Sequence, residues 1–166
     1  LRALEPYYHP HPWSAALAGK RVLVVHPFKK TIERQYARRA ELFPGTDILP
    51  QFADLRIVQA VQGLAGADTG YARWFDALAA MEQQMDAAPY DVAVIGAGAY
   101  GLPLAAHARD TGHAAIQMSG ALQLLFGIRG KRWDDHPIIS KLYNDAWVRP
   151  EETLAHKEKV EGGSYW

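Results

Sequence analysis

The sequence predicts an α/β domain, Rossmann-like and three-layered, with a mostly parallel sheet and helices on both faces. Three observations predict it. Apolar β-branched runs, Arg21-Val-Leu-Val-Val-His26 above all, have the unbroken hydrophobicity of strands buried on both faces. Stretches with helical spacing alternate with them, the pattern that builds βαβ units joined by right-handed crossovers. A glycine-rich turn, Gly96–Gly101, follows one strand and opens a helix.

The elements follow in order. Tyr7-Tyr8-His9-Pro10-His11-Pro12-Trp13 is punctuated by prolines, so residues 1–18 are expected to form an extended aromatic arm. Arg21–His26 is the first strand, ended by Pro27. Thr31–Leu42 is helix-forming, with Ile32, Tyr36 and Ala40 on one stripe, and Pro44-Gly45 stops it. Asp54–Val58 is a second strand, and Gly63–Gly70 a glycine-rich loop. Tyr71–Met85 is an amphipathic helix carrying Trp74, Leu78, Met81 and Met85 at helical spacing. Asp91–Ile95 is the clearest strand. A helix over Leu102–Thr111 ends at Gly112, a suitable C′ residue. Ala114–Met118 is the next strand and Ala121–Phe126 a short helix, with Ser119 as its cap. Residues 134–166 read as an irregular segment with a charged, solvated tail around Glu151-Glu152 and Glu158–Glu161.

Composition narrows the function. The 166 residues suit a single domain, residues 1–166. Eighteen basic residues balance eighteen acidic ones, which argues against a bulk nucleic-acid binder. The absence of cysteine excludes disulfides and thiolate metal sites. No apolar run is long enough to span a bilayer and no signal peptide is evident, so a cytoplasmic location is expected. The chain begins at Leu1 rather than Met, which fits a domain belonging to a longer protein.

Ligands of such folds bind outside the carboxyl ends of the strands. That places His26, the Gly96–Gly101 turn and Ser119-Gly120 on one edge. Gly96, Gly98 and Gly101, with Tyr100 between them, fit G-x-G-x-x-G, a turn whose backbone can approach a phosphate. An NAD-dependent oxidoreductase is one reading of it. The next strand end, Gln117-Met118-Ser119-Gly120, lacks the acidic residue that would hold the ribose, and the motif lies on a late strand, so a phosphate-bearing ligand is the better expectation. The loop Phe126–Trp133 adds Arg129, Lys131 and Arg132 as cations and Trp133 as a ring able to stack. Asp134-Asp135-His136 has metal-ligating residue types but consecutive spacing, and no metal site is assigned to it.

The runs Asp91–Gly101 and Ala115–Trp133 resemble the GT-D fold-like domain of bacteria, often encoded beside surface-polysaccharide genes. Val24-Val25-His26-Pro27-Phe28, Trp74-Phe75-Asp76-Ala77-Leu78 and Val160–Trp166 extend that resemblance over nearly the whole chain. It implies a glycosyltransferase-like domain that takes a nucleotide-sugar with a divalent metal, Mn or Mg. Gly96, Gly98, Tyr100, Gly101, Ser119, Gly120 and Gln123 would line the nucleotide-sugar side. The Asp-x-Glu metal motif of such enzymes occurs nowhere in this chain, so no catalytic residue is carried over. A non-catalytic interaction module of the same fold, with a homo-oligomer or an additional domain as partner to the aromatic arm, is the alternative.

Overall fold

A computed structural model describes residues 4–63, 69–153 and 157–166. Four strands, β1 (Arg21–His26), β2 (Asp54–Gln59), β3 (Val92–Ile95) and β4 (Ala114–Gln117), form one wholly parallel sheet in the order β2-β1-β3-β4. Val22 pairs with both Leu55 and Val92, and Val92 in turn with Ala114. The register brings His26, Gln59, Gly96 and Gln117 to one edge. Between β1 and β3 the chain reverses its direction of progress across the sheet, leaving a crevice at their carboxyl ends.

Strand alternation sorts the core. Val22, Val24, Val92 and Val94 face a large cluster built by α1 (Lys29–Ala37), α2 (Arg39–Leu42), α5 (Leu122–Leu125) and the segments beyond Trp133. Leu23, Val25, Ala93 and Ile95 face a smaller one built by α3 (Trp74–Asp86) and α4 (Gly101–Asp110). Helices thus cover both faces, the three-layer α/β arrangement that the alternation of elements predicts. Gly112 ends α4 in a Schellman motif: its φ is 85°, its N–H donates to Arg109 O (3.0 Å), and His113 N–H donates to Ala108 O (2.8 Å).

Several expectations are corrected. The Thr31–Leu42 helix breaks at Arg38 (φ −112°, ψ 25°) into α1 and α2. The arm is not extended: Pro6–Tyr8 and Trp13–Leu17 form 3₁₀ turns, which place prolines at starts, where no N–H is needed. Tyr7 is buried and its hydroxyl donates to Glu5. The glycine-rich loop Gly63–Gly70 lies largely outside the described residues.

The C-terminal segment is irregular, as its composition predicts, and Glu151, Glu158 and Glu161 are exposed, but Glu152 is not part of a solvated tail. Glu152 accepts hydrogen bonds from Thr31 N (3.1 Å) and Thr31 Oγ1, so its carboxylate caps the amino end of α1, where backbone donors and the helix dipole favour an anion. Glu151 pairs with Arg34. Asn144 Nδ2 and Trp147 Nε1 donate to the carbonyl of Leu42 and close the end of α2. Among the described residues, no helix is long and apolar enough to cross a membrane.

Candidate functional site

The crevice at the ends of β1 and β3 contains a cavity of about 250 Å³. Its walls come from β1 (His26), the turn after β3 (Gly96, Gly98), the turn after β4 (Ser119, Gly120), α5 (Gln123) and the tail (Glu161, Tyr165). Six of the residues expected from sequence therefore converge: His26, Gly96, Gly98, Ser119, Gly120 and Gln123.

Gly96 is fixed by close approach. A Cβ there would lie 2.6 Å from Ser119 O and 2.8 Å from the His26 ring, so only glycine lets the two turns and the histidine meet. Ser119 has φ 53°, a left-handed conformation rare for a residue with a side chain. It does not cap α5: its hydroxyl accepts from Gln117 Nε2 (3.0 Å), and a 3₁₀ turn over Ser119–Ala121 precedes the helix. The left-handed residue turns the chain away from a helical cap geometry.

The result is a set of unspent donors. Among the described residues, no acceptor is bonded to the backbone N–H groups of Gly98, Ala99, Ser119 or Gly120. His26 adds a fifth. Its Nδ1 accepts from Phe28 N–H (3.0 Å), which places the proton of the neutral ring on Nε2. The residue is 2 % exposed, and burial lowers its pKa to about 3, so the ring is neutral at physiological pH. Nε2 has no partner among the described residues. His26 is thus a fixed hydrogen-bond donor rather than a base.

Two further residues of the lining carry acceptors. Gln123 Nε2 donates to Ile128 O (3.2 Å) and Tyr165 O (3.1 Å), leaving the buried Oε1 without a partner. Glu161 Oε2 accepts from Arg132 Nη1 (3.1 Å), which also reaches Tyr165 OH (2.7 Å). The pKa of Tyr165 is raised, first by burial.

The remaining expected residues are placed elsewhere. Tyr100 is buried in a neighbouring cavity, stacked on Trp74 (4.7 Å, 4°). Gly101 opens α4 against Gln117, whose Nε2 would lie 2.7 Å from an added Cβ. Arg129 does not line the switch-point cavity: it donates to Trp147 O (3.1 Å) and lies over the Tyr143 ring. Arg132 and Trp133 line a separate cavity on the other side of Ser119-Gly120. Trp133 is core, 9 % exposed, with Arg132 over its ring. Lys131 is exposed. The three cations therefore do not converge, because the loop between them is tied to the tail by Lys131 N→Trp166 O (3.2 Å) and Arg132 N→Ser164 O (3.0 Å).

Among the described residues, no three His, Asp or Glu side chains converge to hold a metal ion. Glu161, the carboxylate lining the cavity, is already engaged by Arg132 and Tyr165. Asp134 pairs with Arg149, and His136 Nδ1 accepts from Ile139 N–H, so both of these are engaged structurally. These residues do not fit a protein-held divalent metal.

Gln62, at the strand-end segment Gln59–Gln62, also lines the cavity, whereas sequence reasoning missed Glu161 and Tyr165 as wall residues. Their signal was Gly162-Gly163 followed by Tyr165-Trp166: two large rings after a flexible pair must find burial. Trp166 finds it against Phe28 (5.4 Å). No family model, no curated protein and no solved structure matches the chain.

Proposed function

We propose that this chain is a glycosyltransferase-like domain that binds a nucleotide-sugar through its phosphates, in the switch-point cavity, as part of bacterial surface polysaccharide synthesis. One observation carries the phosphate half of this reading: at the carboxyl edge of a parallel sheet, Gly98, Ser119 and Gly120, whose backbone N–H groups are unbonded, line one cavity together with His26, whose Nε2–H is also unbonded. Such an array suits the oxygens of a phosphate. The nucleotide-sugar half rests on the resemblance of Asp91–Gly101 and Ala115–Trp133 to the GT-D fold-like domain.

In this reading the Gly98, Ser119 and Gly120 amides take the phosphate oxygens. The amino end of α4 adds its dipole. Donors of this kind, already oriented, stabilise the charge that grows on a departing diphosphate. Arg129 plays no part, and Arg132 acts only through its hold on Glu161 and Tyr165. A divalent ion, if the reaction uses one, arrives with the nucleotide.

Calorimetric titration with UDP, GDP, CMP, TDP and NAD, each with and without manganese, tests the reading. Binding of one nucleoside diphosphate supports it, and enhancement by manganese adds the metal. Binding of NAD alone would instead favour an oxidoreductase. If none binds, the non-catalytic module takes over, and the 70 % exposed Phe75 and 73 % exposed Leu102 become its contact surface.

A further inference from the structure

Beside the switch-point cavity lies a second one, of about 320 Å³, and the two share Gln62 and Gly98. Its distinguishing wall is aromatic. Trp74, the first residue of α3, lies parallel to Tyr100 at 4.7 Å, with Phe75 edge-on at 5.0 Å. Tyr100 is buried at 6 % exposure, but Trp74 keeps 38 %. A tryptophan serving the core would be sealed, as Trp147 is at 1 %. Trp74 instead presents its ring to an open cavity on a rigid backing.

Apart from Arg73, the polar groups there are sparse and neutral. Gln62 has no hydrogen-bond partner among the described residues, and a side-chain amide can both donate and accept. Arg73, the cation on this wall, is held by Asp76 through two hydrogen bonds (3.1 and 2.7 Å). A planar, uncharged ring with a mixed donor and acceptor edge matches this lining. Its tether to the switch-point cavity passes Gly98, whose N–H is one of the unbonded phosphate donors.

We propose that this neighbouring cavity is a nucleobase subsite, in which Trp74 stacks on the base and Gln62 meets its hydrogen-bonding edge. The proposal rests on the reading of the switch-point cavity as a phosphate site, and it assigns the other half of the nucleotide to residues outside the glycine turns.

The test compares pyrophosphate, uridine, guanosine, UDP and GDP by calorimetry on the wild-type chain, Trp74→Ala and Trp74→Phe. Base stacking on an aromatic ring predicts that Trp74→Ala weakens the better nucleoside diphosphate about tenfold, or about 1.4 kcal/mol, and leaves pyrophosphate unchanged. Trp74→Phe, which keeps a ring on Tyr100, shows a smaller loss and serves should the alanine variant not fold. Equal nucleoside diphosphate affinity in all three proteins overturns the subsite. So does wild-type binding of pyrophosphate as tight as that of UDP and GDP, which leaves the phosphate reading intact. Trp74-dependent binding of a free nucleoside without any binding of pyrophosphate sustains the subsite and removes the phosphate reading. No binding of any of the five removes both.

Discussion

His26 makes stability depend on pH in a defined window. In the unfolded chain its ring titrates at the ordinary value of 6.5, whereas burial lowers it to about 3 in the fold. Below pH 6.5 the unfolded state therefore takes up a proton that the folded state refuses, and protonation favours unfolding. The stability held by the neutral ring is complete above pH 6.5 and is lost progressively as pH falls toward 3. The gap spans about 3.5 pH units at about 1.4 kcal/mol each, a full effect of about 5 kcal/mol. Between pH 6.5 and 5 the share is about 2 kcal/mol. Asp91, lowered to about 2 by its hydrogen bonds from Arg21, acts in a separate window below its ordinary value of 3.8. Urea denaturation at pH 7 and pH 5 on the wild type and His26→Gln isolates the effect. The wild type should lose about 2 kcal/mol more than the variant on acidification. Parallel losses in the two proteins would refute the buried, neutral ring, and with it the assignment of Nε2–H as a donor to the cavity.

Three further substitutions probe the frame around the cavity. Gly120→Ala puts a Cβ 2.1 Å from Tyr165 Cε1, so the ring must swing out and release Arg132; a loss of about 1–2 kcal/mol in thermal unfolding is expected. In Gly96→Ala the nearest atom is the Ser119 carbonyl at 2.6 Å, main chain that cannot rotate away. Its cost should exceed that of Gly120→Ala, at about 3 kcal/mol by the same assay. Glu152→Ala removes the carboxylate at the amino end of α1 and should cost about 1–2 kcal/mol in chemical denaturation, while Glu152→Gln retains an acceptor and recovers part of it.

What was legible in the sequence is what short-range periodicity encodes. Arg21–His26 is a strand with the expected bounds because its run is apolar on both faces and Pro27 ends it. The Met81 and Met85 stripe of α3 and the Gly112 stop of α4 follow from helical spacing and glycine's left-handed freedom. Strand-end reasoning likewise brought His26, Gly96, Gly98, Ser119 and Gly120 to one place. Contacts between distant segments were not legible. Arg129 and Arg132 looked like free cations because their partners, the Trp147 carbonyl, Glu161 and Tyr165, lie 18 to 33 residues further along. Glu152 looked solvated because the helix end that it caps is 121 positions away. The break at Arg38 leaves no mark in the apolar stripe.

The two faces of the sheet are built from unlike materials. One is filled by Ala77, Ala93, Ala97 and Ala108 between Met81, Met85 and Leu104, the other by Phe28, Phe126, Trp147 and Trp166 with segments distant in sequence. Small side chains fill the layer in which α3 packs beside β2 and α4 beside β3, so an added methyl group meets closely packed neighbours. The aromatic face is filled by a few large rings, each of which leaves a large void when it is truncated. Tolerance to substitution should therefore be lopsided: enlargement is penalised under α3 and α4, whereas truncation is the damaging change beneath α1 and the tail. A library of core variants selected for folding would record this as alanines retained on one side of the sheet and ring size retained on the other.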